Sequence, residues 1–191
     1  MAKVLATQRL PGQGVERVRE AGHEVLVHDG PPMSRAELLD AVAGCAGLVT
    51  LLSDRIDAKV FEAAGPALRV VSNYAVGFNN IDVEEATRRG IAVCNTPDVL
   101  TDATADLAWA LLMAVSRRVA EGDRLVRSGT WTGWKPDELL GLDLVNRTLA
   151  IVGAGRIGHA VARRGMGWSM RVVYVARSRH EEFERDFGAE K

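Results

Sequence analysis

The sequence predicts an α/β chain in two parts, each built on parallel strands, and three features of its 191 residues carry that prediction. Through the first hundred residues, short apolar runs alternate with capped helical segments, a pattern that places helices on the faces of a parallel sheet. A long helix and a tryptophan-bearing loop then break the rhythm. Beyond them an apolar run leads directly into Gly153-Ala154-Gly155-Arg156-Ile157-Gly158, the glycine turn of a Rossmann-type dinucleotide-binding unit. The expected division is a first domain over residues 1–98 and an incomplete Rossmann-type domain over 99–191.

In the first part, strands are expected at residues 3–7, 24–28, 47–52, 68–72 and 91–94. Ser34-Arg35-Ala36-Glu37 reads as a capping box that opens a helix stopped by Gly44, and Asp82-Val83-Glu84-Glu85 as a second box whose helix ends at Gly90. Gly22 and Gly65 close two more helices. Five strands with short connections form a flavodoxin-like sheet, whose ligands lie beyond the carboxyl ends of the strands. The loops after Leu52, Ser72 and Cys94 are therefore the places to watch.

In the second part, Thr101 is expected to cap a long helix along which Leu107, Leu111, Leu112 and Val115 recur at helical spacing. Such a helix either spans from one domain to another or packs on a partner. Residues 128–136 hold Trp131 and Trp134 between glycines, as a plug over a core or as a subunit contact. Strands at 148–152 and 171–175 flank a helix opening near Arg156, and a last helix over 181–187 ends at Gly188. Gly165 and Gly167 dilute the middle helix, and Trp168 and Ser169 follow it. A helical glycine costs about 1 kcal/mol relative to alanine, so weaker packing is expected there.

A net charge of −1 and a pI near 6.4 give no electrostatic footprint for nucleic acid or an anionic membrane. No apolar run approaches the roughly 20 residues of a membrane helix, and Gln8 and Arg9 interrupt the start before a signal-peptide core forms. A soluble, cytoplasmic protein is the expectation. Cys45 and Cys94 lack metal-ligand spacing and read as buried free thiols, and no metal site is expected.

The glycine turn carries specific chemistry. Gly153 allows the tight turn, Gly155 lets a pyrophosphate approach the backbone, and Gly158 lets the following helix pack closely on the strand. The helix start offers unsatisfied N–H groups and a partial positive charge to phosphate. A fold that prefers NAD places a carboxylate about 20 residues further on, for the ribose hydroxyls. This chain has Arg177, Ser178 and Arg179 there and no carboxylate until Glu181, a set suited to a ribose phosphate. NADP is therefore expected over NAD, with NAD as the other cofactor such a fold accepts.

The segments Ser72-Asn73-Tyr74-Ala75-Val76-Gly77-Phe78-Asn79-Asn80-Ile81-Asp82, Cys94-Asn95-Thr96-Pro97 and Asp102-Ala103-Thr104-Ala105-Asp106-Leu107-Ala108, with the glycine turn, resemble the D-isomer-specific 2-hydroxyacid dehydrogenases, in their glyoxylate and hydroxypyruvate reductase branch. The resemblance covers essentially the whole chain in order, with departures at Asp98 and at Trp168-Ser169. It implies NAD(P)H-dependent reduction of a small 2-keto acid to the D-2-hydroxy acid. It places the substrate carboxylate on the N–H groups of Val76 and Gly77, with Leu52 lining the same pocket. It gives the pyrophosphate to Gly153, Gly155, Arg156, Ile157 and Gly158, the phosphate or nicotinamide side to Thr104, and the ribose phosphate to Arg177, Ser178 and Arg179. A homodimer through the long helix and the Trp131/Trp134 loop is implied as well.

Such a reduction needs a cation to polarise the carbonyl and an acid to protonate the alkoxide. In the family these are an arginine and a histidine backed by a glutamate, expected beyond Lys191, so the 191-residue chain is expected to lack turnover. His23, His28, His159 and His180 are expected to be solvated or locally bonded. Two other readings stand beside this one: a dinucleotide-sensing binding protein of the corepressor type, and a phosphoglycerate-type dehydrogenase.

Overall fold

Short runs of Val, Leu and Ala, too short for helices and rich in β-branched residues, form the first sheet: β1 (Lys3–Ala6), β2 (Glu24–Val27), β3 (Gly47–Thr50), β4 (Val70–Asn73) and β5 (Ala92–Cys94). The computed structural model describes residues 1–191 and divides into two units, Met1–Val99 and Leu100–Lys191. In the first unit the strands are all parallel in the order β2-β1-β3-β4-β5, the flavodoxin-like order. Leu5 pairs with Leu26 and Leu48, and Val71 with Leu48 and Val93.

The helices of this unit are α1 (Gly14–Glu20), α2 (Arg35–Ala41), α3 (Ala58–Ala64) and α4 (Val83–Arg88). The core gathers Leu5, Leu48 and Val71 from the sheet with Leu38, Val60, Phe61 and Ala86 from α2, α3 and α4. Helix α1 contributes no buried residue. Ser34 and Glu37 form the expected reciprocal box, with Ser34 Oγ accepting from Glu37 N–H at 3.3 Å and Glu37 Oε2 from Ser34 N–H at 2.7 Å. The second box is one-sided. Asp82 accepts from Glu85 N–H at 3.0 Å, but the Glu85 carboxylate is taken by Arg88 and by Arg89 at 2.6 Å and returns nothing to the cap.

Each strand of the first sheet differs from expectation by one or two residues at an end, β3 and β4 the most. Strand β3 stops at Thr50, because Leu51 N–H turns to the Asp54 carboxylate at 2.8 Å and leaves the ladder. Strand β4 begins at Val70 and runs on to Asn73, while Leu68 stays in the preceding turn. Of the two cysteines, Cys45 is buried and burial pushes its thiol pKa up, whereas Cys94 is exposed, correcting the expectation of two buried thiols.

The second unit comprises α5 (Thr101–Ser116), α6 (Val119–Arg127), β6 (Thr148–Val152), α7 (Arg156–Met166), β7 (Arg171–Val175) and α8 (Glu181–Phe187). Strands β6 and β7 pair in parallel, with Ile151 opposite Tyr174, and their core closes with Ala162, Phe183 and Phe187. Thr101 is the first helical residue of α5 and not its cap; Leu100 holds that position without a side-chain bond. The leucine stripe also faces outward, with Leu107, Leu111 and Val115 at 59%, 58% and 77% exposure.

Helix α5 is turned that way by Trp109. Its indole Nε1 donates to the Val161 carbonyl at 2.9 Å, and its ring stacks on Trp168 at 6.1 Å between centroids. A Cβ on Gly165 would lie 2.9 Å from Leu149 Cδ2, so the glycine lets α7 come close to β6 there, with Trp109 Cζ2 at an ordinary contact distance of 3.6 Å. The glycines and Trp168 therefore permit close packing, contrary to the weaker packing expected from helix propensity. Trp131 and Trp134 are half or more exposed and plug no core. No helix is long and apolar enough to cross a membrane.

Asp57 caps α3 through Lys59 N–H at 3.2 Å and pairs with Arg35 and with Arg55, the latter at 3.2 Å. Burial alone would raise its pKa, but the hydrogen bond and charge of Arg35, with the N–H groups of Val60 and Lys59, leave it below the usual aspartate value. A lowered folded pKa means stabilisation that is present above the unfolded value and lost as pH falls through the folded one. Between about pH 5 and pH 3, spanning the free aspartate value of about 3.9, the urea midpoint of the native chain is expected to fall further than that of Asp57→Asn.

Candidate functional site

Two sites emerge, each within its own unit and each at the carboxyl ends of parallel strands. In the first unit the site begins with Asn73, buried at the end of β4. Its Oδ1 accepts from Thr50 Oγ1 at 2.9 Å, and its Nδ2 donates to the Gly77 carbonyl at 2.8 Å and to Asn80 Oδ1 at 3.0 Å. Asn80 Nδ2 in turn donates to the carbonyls of Leu51 and Asp54, both at 3.0 Å. Asp54 accepts from Thr7 Oγ1 at 2.5 Å. The loops after β1, β3 and β4 are thereby bonded into one rim.

On that rim lie Leu52, Val76 and Gly77, which the structure brings together. A Cβ at Gly77 would sit 3.7 Å from Leu52 Cδ2, and Leu52 is 57% exposed. The Val76 carbonyl accepts from Asn95 Nδ2 at 2.8 Å and the Gly77 carbonyl from Asn73, while neither residue's N–H donates to anything within the chain. Unspent peptide N–H groups in a turn beyond a parallel sheet form a concavity that favours an anion.

In the second unit, each glycine of the turn has a distinct reason. Gly153 takes φ +96°, a left-handed backbone that favours glycine, and its N–H bonds the Val175 carbonyl at 2.8 Å. A Cβ on Gly158 would lie 2.2 Å from the Gly153 carbonyl oxygen and 3.0 Å from Ile151 Cγ2, so the fold itself requires glycine there. Gly155 differs. It caps α7 with an ordinary φ of −82°, and a Cβ there would meet nothing within 4 Å. Nothing in the chain demands glycine at Gly155. Helix α7 has no side-chain cap, Arg156 and Ile157 open its first turn, and Ile157 is 44% exposed.

A cleft of about 660 Å³ opens beside this turn, lined by Gly153, Ala154, Gly155, Val175, Arg177 and Ser178 among others, with no carboxylate in its wall. Arg177 makes no ion pair. Arg179 is turned aside: its Nε and Nη2 bond Glu184 Oε2 at 2.9 and 2.7 Å. Glu184 also accepts from Tyr174 OH at 2.7 Å, and that hydroxyl receives His180 N–H at 3.0 Å. Arg179, and after it Tyr174, holds the Glu184 carboxyl below the usual carboxylate range. Of the three residues read as a ribose-phosphate set, two line the cleft and Arg179 braces the loop. Thr104 lies in the first turn of α5 with its N–H on the Leu100 carbonyl at 2.9 Å, and is not part of the cleft wall.

The histidines are locally engaged. His23 Nδ1 accepts from Ala2 N–H at 3.4 Å, and His28 Nε2 lies 2.7 Å from the Pro31 carbonyl. His159 meets Asp186 at 3.0 Å and the ring of Phe187 at 4.7 Å. His180 borders the ribose side of the cleft. Asn73, Asn80 and Asp54 in one unit, and Tyr174 and Glu184 in the other, are site-shaping residues that sequence reasoning did not single out. A buried asparagine closing a valine-rich strand was the one available signal.

A flavodoxin-like unit followed by a strand, glycine turn and helix of Rossmann type defines a class of two-part α/β proteins. The family described as D-isomer specific 2-hydroxyacid dehydrogenase, catalytic domain, matches residues 4–179. The chain belongs to that family. It is 52% identical over 192 residues to the glyoxylate reductase of Thermococcus kodakarensis, covering 98% of this chain and 57% of that one. A solved Thermus thermophilus protein matches with a TM-score of 0.90 and 52% identity over 93% of this chain and 57% of its own. The glyoxylate reductase structure from Paecilomyes thermophila matches with a TM-score of 0.79 and 25% identity, covering 99% of this chain and 59% of its own. The chain thus spans somewhat over half the length of these relatives.

The glycine geometry separates two substitutions. Gly158→Ala is expected to destabilise the chain by about 1–3 kcal/mol, the usual cost of overpacking, whereas Gly155→Ala should stay within about 0.5 kcal/mol of the native chain in urea unfolding.

Proposed function

We propose that this chain carries the substrate- and cofactor-binding portions of an NADP-preferring D-2-hydroxyacid dehydrogenase that reduces a small 2-keto acid such as glyoxylate or hydroxypyruvate. The observation that carries the cofactor reading is a cleft wall holding Arg177 and Ser178 and no carboxylate, next to a glycine at which a Cβ would meet nothing within 4 Å. A ribose bearing free hydroxyls finds no acceptor carboxylate in this wall. A ribose phosphate finds an unpaired guanidinium and a hydroxyl. The amides at the start of α7, with Gly155 open before them, suit the diphosphate.

In this reading the first unit holds the substrate. The N–H groups of Val76 and Gly77 take the carboxylate, and Leu52 forms an apolar side of the pocket that suits a short carbon chain. The nicotinamide supplies a hydride when bound. The chain's own contribution is to fix the keto acid by its carboxylate, leaving the carbonyl carbon free, and to hold the nucleotide by its phosphates. Fixing both reactants makes an encounter in solution effectively unimolecular. We assign the proton donor to none of the four histidines, three of which are locally bonded while the fourth stands on the ribose side.

The proposal includes Thr104 at the phosphate or nicotinamide end of the cofactor, and a homodimer formed through the exposed stripe of Leu107, Leu111 and Val115 with Trp131 and Trp134. A contiguous apolar surface of this kind on one helix is an association surface. In light scattering, Leu111→Glu is expected to shift the chain from dimer to monomer.

Fluorescence titration with NADPH and NADH tests the cofactor reading directly. NADPH is expected to bind more tightly than NADH, and Arg177→Ala to weaken NADPH about tenfold while leaving NADH unchanged, the scale of one charge-assisted bond. Equal affinities that Arg177→Ala does not alter would show the reading to be wrong.

A further inference from the structure

We propose that Asn73, locked between Thr50 and Asn80, is a positioning residue that presets the Val76–Gly77 amides for the substrate carboxylate; this rests on the proposed reading of that loop as the carboxylate site. Asn73 is fully buried at the end of a strand whose other inward residue, Val71, is apolar. A buried amide is costly unless its bonds are complete. Here they are. Oδ1 accepts from Thr50 Oγ1 and, at 3.3 Å, from Asn80 Nδ2, while Nδ2 donates to Asn80 Oδ1 and to the Gly77 carbonyl.

The Gly77 carbonyl, which can only accept, decides which way the Asn73 amide faces, and the Thr50 hydroxyl holds that orientation by donating to the oxygen end. The consequence lies in the planarity of the peptide group. A bond that fixes a carbonyl fixes the whole plane, including the N–H of the next residue. The Ala75 carbonyl accepts from Thr96 N–H at 2.8 Å, which sets the plane carrying the Val76 N–H. The Val76 carbonyl accepts from Asn95, which sets the plane carrying the Gly77 N–H. Asn73 sets the plane on the other side of Gly77.

Gly77 would otherwise be the freest joint in the loop, lacking a Cβ to restrict it. Held on both sides, it offers its N–H in one direction before any anion arrives. Preorganised donors bind without the ordering cost that mobile ones incur. Asn80 extends the restraint to the Leu52 side through the carbonyls of Leu51 and Asp54, so one buried pair of amides sets the donors and the apolar wall together.

The test uses the ¹⁵N-labelled 191-residue chain, with glyoxylate as the probe and the backbone amide signals as the readout. In the native chain, the Val76 and Gly77 signals are expected to move saturably with glyoxylate. Asn73→Asp keeps the shape but cannot donate to the Gly77 carbonyl, and is expected to weaken glyoxylate about tenfold, the effect of one lost buried hydrogen bond. Thr50→Val removes the hydroxyl that donates to Asn73 Oδ1 without adding charge, and is expected to weaken glyoxylate about threefold for the partial loss of such a bond.

Both variants should lower the order parameters of the Val76 and Gly77 amides while hydrogen-exchange protection in β3 and β4 is unchanged. Affinity lost without loosening of the loop would assign the Asn73→Asp effect to its charge and overturn the positioning role. Native affinity in both variants would overturn it as well, with the carboxylate site itself intact. A native chain whose Val76 and Gly77 signals ignore glyoxylate would overturn the carboxylate site and the proposal together. Should Asn73→Asp fail to fold, Thr50→Val alone decides.

Discussion

The organising constraint in this molecule is the backbone donor left over where a parallel strand ends. Between paired strands the N–H groups have ladder partners, but the chain must leave the sheet, and there the first amides have no regular acceptor. The structure handles this in two ways. Where the chain must close, side chains accept those donors, as Asp54 does for Leu51 and Ser34 for Glu37. Where the chain opens to solvent, at Val76–Gly77, the donors are unspent while the neighbouring carbonyls are bonded.

Close packing supplies the rigidity these loops depend on. Helix α7 lies so near β6 that Gly158 has no room for a methyl group. Gly165 likewise leaves room for Leu149 of β6, and on the side of α5 the indole N–H of Trp109 bonds the Val161 carbonyl. Arg164 adds ion pairs to Asp102 and Asp106 on α5, at 3.2 and 2.6 Å. The first turn of α7 is therefore fixed from two directions without a side-chain cap.

What was legible in the sequence was what depends on neighbours along the chain. The strand alternation, the Ser34 box, the turn at Gly153 and the close packing at Gly158 are local matters of backbone angle and spacing, and they read correctly. The helical period of Leu107, Leu111 and Val115 was equally plain, but period alone does not say which stripe faces inward. Trp109 settled that through a partner 52 residues away. The Asn73 clamp joins residues 23 and 29 positions apart, and an asparagine beside a strand end reads locally as a turn former. Arg179 looked equivalent to Arg177 because both follow β7; only the fold of α8 against the loop brings Glu184 up to claim it.

Helix α1 stands apart from this economy of tight contacts. It spans seven residues and seals none of its side chains away from water, so its hold on the sheet is shallow compared with that of α2, α3 and α4. Cooperative unfolding therefore should not describe the chain uniformly. The segment around α1 forms a low-energy opening unit that breathes while the remaining strands stay protected, and a protease admitted by such fraying would nick the backbone there well before the global transition.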